Sequence, residues 1–243
     1  MQPFSILIPV YNEGERIVPF LQALEAVIQE PHETLVVYDM PDDTTVPFLR
    51  ELRTEYPAVR PLHNTYGRGP ANALRFGVDH AANDTIVVTM GDNSDDASQI
   101  PELASLITGD VVVAAGSRYM RGGKHLGGPP IKNALSKLAD LSLWYVGRVG
   151  THDSTSAFKA YSKPFVQEVG IESTKGFEMA IELVAKAKRH GRKVAEIPTT
   201  WRDRTAGDSH FKVVEWLPHY LRWYVHALGP RKPLRRRPTH STH

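Results

Sequence analysis

The chain has 243 residues, 41% of them hydrophobic, enough for one large α/β domain with a short appendage. It has no cysteine, which excludes a disulfide framework, a thiolate nucleophile and a thiolate-held zinc or iron–sulfur centre. The formal charge of +2 is unevenly spread: residues 229–243 hold Arg231, Lys232, Arg235, Arg236 and Arg237 and no acid, leaving 24 bases against 27 acids elsewhere. A basic tail on a mildly acidic body argues against a nucleic-acid-binding core.

Strands and amphipathic helices alternate through the first half. This pattern predicts an open, mainly parallel twisted sheet flanked by helices in a single domain. Phe4-Ser5-Ile6-Leu7-Ile8-Pro9-Val10 reads as the first strand and runs into Tyr11-Asn12-Glu13. Ile17, Phe20, Leu21, Leu24 and Val27 then recur at helical spacing. The second strand, Glu33-Thr34-Leu35-Val36-Val37-Tyr38-Asp39, leads through Pro41-Asp42-Asp43-Thr44-Thr45 into a helix striped with Val46, Leu49 and Leu52. A short strand is expected around residues 59–62. Gly67-Arg68-Gly69 follows, and Pro70 opens the next helix. That glycine pair is a weak dinucleotide signal, because the third glycine is missing and the segment follows the third strand.

The fourth strand, expected over residues 85–90, ends in Met90-Gly91-Asp92-Asn93-Ser94-Asp95-Asp96. Three strand ends thus carry polar or acidic residues, which places one binding edge at the carboxyl ends of the strands. Carboxylates there suit a hard divalent cation shared with substrate phosphates. A helix over residues 99–107 and a strand over 110–115 complete the half. Helices over 132–146 and 177–190 and a strand over 193–197 are expected in the less regular second half.

Val213, Val214, Leu217, Leu221, Tyr224 and Leu228 share a helical face, with Trp216, Tyr220 and Trp223 alongside; Pro218 starts or kinks this helix. An aromatic amphipathic helix before a basic tail suits a membrane surface, and equally a helix packed on the core. No apolar run approaches the ~18 residues of a transmembrane helix. Strand residues start at Phe4, so no signal peptide is expected. The chain is therefore expected in the cytoplasm, with peripheral attachment to the inner membrane face. No His-Glu-x-x-His spacing and no glycine elbow around Ser117, Ser154 or Ser156 is present.

Taken together these segments resemble the family 2 glycosyltransferases of the GT-A fold, and most of all their polyprenyl-phosphate (dolichyl-phosphate mannose synthase-like) branch. The resemblance runs from about Phe4 to Phe211. It rests on Ile8-Pro9-Val10-Tyr11-Asn12-Glu13, Val36-Val37-Tyr38-Asp39, Gly116-Ser117-Arg118-Tyr119 with Gly122-Gly123, Asp153-Ser154-Thr155-Ser156-Ala157-Phe158-Lys159, and Arg204-Thr205-Ala206-Gly207-Asp208-Ser209-His210-Phe211. It implies a glycosyltransferase domain over residues 1–211, an interfacial helix over 212–228 and a basic tail over 229–243.

The resemblance further implies a GDP- or UDP-linked sugar donor held by Pro9, Tyr11, Glu13, Asp39, Gly69 and Asp92. Asp92 would hold Mg²⁺ or Mn²⁺ on the diphosphate. Ser117, Arg118, Arg202, Arg204, Ser209 and His210 would gather the phosphate of a polyprenyl acceptor, with Asp92, Arg118 and Arg204 central to inverting transfer. Four positions depart from the family pattern. Tyr38 and Met90 stand where an aspartate is usual, Ala157 replaces a glycine, and His210 replaces a lysine. Asp95 and Asp96 are candidates to compensate for Met90. Two alternatives stay open: a soluble hydroxyl acceptor, with Asp153 or Asp96 as base, and a non-catalytic nucleotide- or lipid-binding module. A nucleotidyltransferase is disfavoured because the first loop is not glycine-rich.

Overall fold

The computed structural model describes residues 2–203 and 213–230. Seven strands form the central sheet: β1 (Phe4–Val10), β2 (His32–Tyr38), β3 (Val59–His63), β4 (Thr85–Val88), β5 (Val111–Ser117), β7 (Lys159–Ser162) and β8 (Lys193–Pro198). Their order is β3-β2-β1-β4-β7-β5-β8. All pair in parallel except β7, which runs antiparallel between β4 and β5. A parallel ribbon of β6 (Lys124–Leu126) and β9 (Thr200–Arg202) stands apart from this sheet.

The strand sequences are apolar on both faces, as a sheet covered on both sides requires. Leu7 of β1 faces one layer, with Leu35, Val37 and Val88. Ile6 and Ile8 face the other, with Val36 and Val87. The first layer is closed by α3 (Pro70–His80), α6 (Lys163–Val169), α7 (Met179–Arg189) and the last helix, α8 (Val213–Leu228). The second is closed by α1 (Ile17–Val27), α2 (Val46–Glu55) and α4 (Ile100–Ser105). Helix α5 (Pro130–Ser142) continues into a wide π turn at Leu143–Gly147.

Helix α3 sits tightly on β1. A Cβ built on Gly77 falls 2.1 Å from Leu7 Cδ1, and Leu7 is fully buried. The apolar stripes expected for α1 to α3 are buried except at Val27, which is 49% exposed at the end of α1. The sequence does not announce β7 or α6, and the aromatic helix divides differently from expectation. Trp223 and Ala227 are buried, with Tyr220 and Tyr224 packed beside them, while Leu217, Leu221, Val225 and Leu228 face outward. Pro218 lies inside the helix rather than starting it. Gly77→Ala should cost about 1–3 kcal/mol of stability through overpacking, read as a lower urea midpoint with an unchanged slope.

Candidate active site

Crossovers leave β1 toward β2 on one side, and β4 lies on the other, so the gap above β1 and β4 is the switch point where open α/β sheets bind ligands. Pro9 lies near the end of β1, followed by Tyr11, which is exposed, and Asn12 in the left-handed region at φ 54°. This first loop is tied to the loop after β2. The Asn12 and Glu13 amides donate to buried Asp43 (3.0 Å) and to Thr45 Oγ1 (3.0 Å). Asp43 was not singled out from sequence; its signal was its place among the turn and cap residues 41–45.

Asp39 follows β2 directly. Its carboxylate accepts from the Gly69 amide at 2.7 Å and from Asn64 Nδ2 at 2.8 Å. Gly69 sits at φ 112°, where a side chain would be strained, and there Pro70 opens α3. Asp39 thus pins the glycine turn to the edge of the site. A carboxylate offers about four acceptor positions, so Asp39 can accept a further N–H. Buried Glu178 collects the amides of Thr174, Lys175 and Gly176, which sets the Lys175 carbonyl 3.5 Å from the space beside Gly69. Sequence reasoning missed this loop.

After β4, Asp92 Oδ1 accepts from the Ser94 amide at 3.0 Å. Asp95 does not take the place of the missing carboxylate. It turns back and accepts from Thr89 Oγ1 (3.1 Å) and the Met90 amide (3.2 Å). Burial pushes its pKa up to about 7, the Met90 amide opposes this, and the charge of Asp92 adds to the rise. Asp96 caps the turn at Ala97–Gln99 through Ser98 N and Oγ. Neither neighbour therefore replaces the aspartate absent at Met90. Among the described residues, no group of three His, Asp or Glu side chains is arranged to hold a metal alone. One carboxylate still fits a cation that keeps several waters and binds mainly through substrate phosphates.

On the other side of the gap, Arg118 leaves the end of β5 and meets Asp153 in a bidentate pair. Nε lies 2.7 Å from Oδ2 and Nη2 lies 2.9 Å from Oδ1. The Arg118 amide donates to the same carboxylate. The side chains are 12% and 0% exposed. Asp153 is held below the usual carboxylate range, since the charge and hydrogen bonds of Arg118 overcome burial. The two candidate bases for a hydroxyl acceptor are thus engaged elsewhere, Asp153 with Arg118 and Asp96 with its cap. Asp140 of α5 accepts from the Ser154 amide (2.8 Å) and Thr155 Oγ1 (2.7 Å). Burial first, and then the charge of Asp153, push Asp140 up to about 7. Lys159, fully buried, donates to the Ser156 carbonyl, and burial lowers its pKa to about 8.

Ser117 is buried, with its hydroxyl accepting the Met120 amide, so it supports the loop rather than lining it. A Cβ on Gly123 would stand 2.3 Å from the Ser117 carbonyl, which explains the glycine pair. The pocket in front of Arg118 holds about 300 Å³ and is lined by Tyr119, Gly123, His125, Asn133, Ala134 and Lys137. Arg202 is exposed on β9, and its amide donates to Ser94 O, joining this half to the acidic loop. Arg204, Ser209 and His210 lie outside the described residues.

The crevice at the switch point thus has an aspartate loop on one side and a buried arginine pair on the other. Residues 5–170 match the Glycosyl transferase family 2 model, and the chain belongs to that family. It is 32% identical over 228 residues to a dolichol-phosphate mannosyltransferase of Pyrococcus furiosus, covering 90% of this chain but 62% of the relative's length. It is 28% identical to a polyprenol monophosphomannose synthase of Mycolicibacterium smegmatis, covering 87% of this chain and 85% of that protein. The fold is shared with glucosyl-3-phosphoglycerate synthase of Mycobacterium tuberculosis, solved with Mn²⁺, UDP and its product (TM-score 0.67, 15% identity, 95% and 81% coverage). It is shared too with a mannosyltransferase of Pyrobaculum calidifontis in complex with GDP-Man and Mn²⁺ (TM-score 0.64, 16% identity, 91% and 62% coverage). The protein is a glycosyltransferase.

Folded Asp140 keeps its proton up to about pH 7, whereas an unfolded aspartate loses it near pH ~4. Its contribution to stability is therefore present at low pH, falls as pH rises through that window, and is flat above it. Asp140→Asn does not titrate. Its stability relative to wild type should climb from pH ~4 to ~7 and then level off, read from urea midpoints; a constant difference would mean the carboxyl is ionised throughout. With one carboxylate, Mn²⁺ binding should be barely detectable by electron paramagnetic resonance until a nucleoside diphosphate is added. Met90→Asp should raise affinity for Mn²⁺ alone by about tenfold or more.

Proposed function

We propose that this glycosyltransferase moves a sugar from a GDP- or UDP-linked donor to a polyprenyl phosphate, with inversion at the anomeric carbon and with Mg²⁺ or Mn²⁺ on the diphosphate. The observation that carries this reading is the pocket in front of Arg118, a basic site at the head of helices whose outer faces are apolar. Leu135 and Leu138 on α5, Tyr145 and Val146 in the π turn, and Leu217, Leu221 and Val225 on α8 are all more than half exposed. A hydrogen bond of 2.7 Å between Ser142 Oγ and Tyr224 OH ties α5 to α8. An anionic head on an apolar tail matches such a surface in chemistry. Peripheral seating of the α5–α8 face on a membrane is part of the proposal, and no helix among the described residues is long and apolar enough to cross one. The names of the relatives support the acceptor class and make mannose the first sugar to test.

Asp39 and the main chain near Pro9 would receive the base, Tyr11 and Glu13 the base and ribose, and Asp92 the diphosphate. A bound divalent cation would offset the negative charge that grows on the leaving diphosphate. An acceptor phosphate oxygen attacks the anomeric carbon, the bond to the donor phosphate breaks, and nucleoside diphosphate leaves. That nucleophile is ionised beforehand, so no base is needed. The commitment of Asp153 to Arg118 favours this acceptor over a hydroxyl. Three N–H bonds of the Arg118 guanidinium face Asp153 and Thr155, which leaves Nη1 for a phosphate oxygen. Arg202, Arg204, Ser209 and His210 complete the acceptor side in this reading.

Incubation with labelled GDP- and UDP-sugars, Mn²⁺ and a polyprenyl phosphate should carry label into an organic extract only when the lipid is present. Asp92→Asn should lower that transfer by about 100-fold or more. Label that stays aqueous while nucleoside diphosphate is released would instead point to a soluble acceptor. If His210 holds the acceptor phosphate as imidazolium, activity falls above pH ~7; a flat profile over pH ~6 to ~8.5 removes that role.

A further inference from the structure

A second basic cavity lies at the opposite end of the sheet, beside the amino ends of β5 and β8. It holds about 270 Å³ and is lined by Val111, Arg148, Val149, Gly150, Lys188, Arg192, Lys193 and Val194. Four of these residues are cationic, and the acids that Arg192 reaches hold it weakly. Arg192 reaches Asp110 at 3.7 Å and Glu168 at 3.9 Å, both on the solvent side, and exposed pairs of that length contribute little. Lys188 Nζ lies 2.9 Å and 2.6 Å from the carbonyls of Ala227 and Gly229. It therefore holds the end of α8 against the cavity wall.

Two further observations give the cavity a purpose. Arg148 is one of three non-glycine residues with positive φ among the described residues, at φ 51° and ψ 46°. The backbone there would sit without strain as glycine or asparagine. An arginine in that place brings a long cation to the rim. The cavity also adjoins the apolar face. Arg148 directly follows the π turn with exposed Tyr145 and Val146, and a Cβ on Gly147 would lie 3.6 Å from Leu228 of α8. Helix α5 runs from the Arg118 pocket, which its Asn133, Ala134 and Lys137 line, to this corner, and Ser142 near its end is bonded to Tyr224 of α8.

We infer that the cavity lined by Arg148, Lys188, Arg192 and Lys193 binds the phosphate headgroup of an anionic membrane phospholipid, fixing the far end of the apolar α5–α8 face on the bilayer. The charge and position match. A face that buries apolar side chains in the interface brings its flanking cations to the headgroup layer, where anionic lipids attract them. The site is separate from the acceptor pocket and would act on orientation rather than on chemistry. It rests on the membrane seating proposed above.

The test is co-sedimentation of the full chain with vesicles of phosphatidylcholine alone or with roughly a third phosphatidylglycerol. Wild type should partition about tenfold more strongly onto the anionic vesicles. Arg148→Asn with Lys193→Gln should lose most of that gain and keep its partition onto neutral vesicles. Arg50→Gln with Arg53→Gln, exposed on α2 in the opposite layer, should lose less than about twofold. All variants keep the basic residues after Gly229, so their share is constant.

An equal loss in both variant pairs would replace the headgroup site with diffuse charge attraction. Equal wild-type binding to both vesicle types would remove the site while leaving the membrane seating intact. Failure to bind either type would remove both. Release from anionic vesicles by inorganic phosphate, but not by chloride of matched ionic strength, would reassign the cavity to free phosphate. Unchanged urea midpoints in the variants exclude misfolding as the cause.

Discussion

The site depends on a pair of charges placed where charge is expensive. Asp153 is fully buried and Arg118 nearly so, and taking each from water costs several kcal/mol. Geometry recovers that cost. Both Asp153 oxygens are used by the Arg118 side chain, its amide and the Ser156 amide. Removing one partner would strand the other, at about 3–5 kcal/mol. Four segments meet here: the end of β5, loop 153–156, α5 through Asp140, and β7 through Lys159. The antiparallel entry of β7 into an otherwise parallel sheet follows from this meeting. The chain must turn back past Arg118 to deliver Asp153, and the next strand returns between β4 and β5.

The pair also divides the labour of the crevice. On the side proposed for the nucleotide, rigidity comes from backbone amides gathered by carboxylates: Asp43 under the first loop, Asp39 under the glycine turn, Glu178 under loop 174–176. On the side proposed for the acceptor it comes from charge pairing. The seam between them is the hydrogen bond from Arg202 N to Ser94 O, at 3.0 Å. A donor on one side and an acceptor on the other would meet above that seam. Because Asp153 neutralises Arg118 before anything binds, the pocket presents a directed hydrogen-bond donor rather than a bare cation. Such a donor favours a phosphate oxygen approaching from one direction.

What the sequence revealed follows which signals are local. β1, β2 and β4 were legible because they are apolar on both faces and end in polar clusters. β7 was not, because Lys159-Ala160-Tyr161-Ser162 opens on a lysine that the fold buries completely, where it donates to the Ser156 carbonyl of another segment. The ribbon of β6 and β9 has three residues per strand, too short for alternation to register. In α8 apolar residues surround the helix, so periodicity alone could not separate Trp223, which faces the core, from Leu221, which faces outward. The site divides the same way. Asp39, Asp92 and Arg118 stood out through resemblance to the family. Asp43, Asp140 and Glu178 act on backbone amides of other loops, and a carboxylate in that role has no pattern of its own.

Met90 changes what can be asked of a metal. With two carboxylates, a loop can hold a cation before the donor arrives; with Asp92 alone, most of the oxygens must come from the diphosphate and water. Asp95 does not lift this limit, since its carboxylate is spent on Thr89 and on the Met90 amide itself. That same bond holds the backbone at Met90. In the proposed reaction the metal would then enter with the nucleotide-sugar and leave with the nucleoside diphosphate. Asp92 would act as a docking point for that complex, and affinity for the metal would be set by how well Asp39, Tyr11 and Glu13 hold the nucleoside.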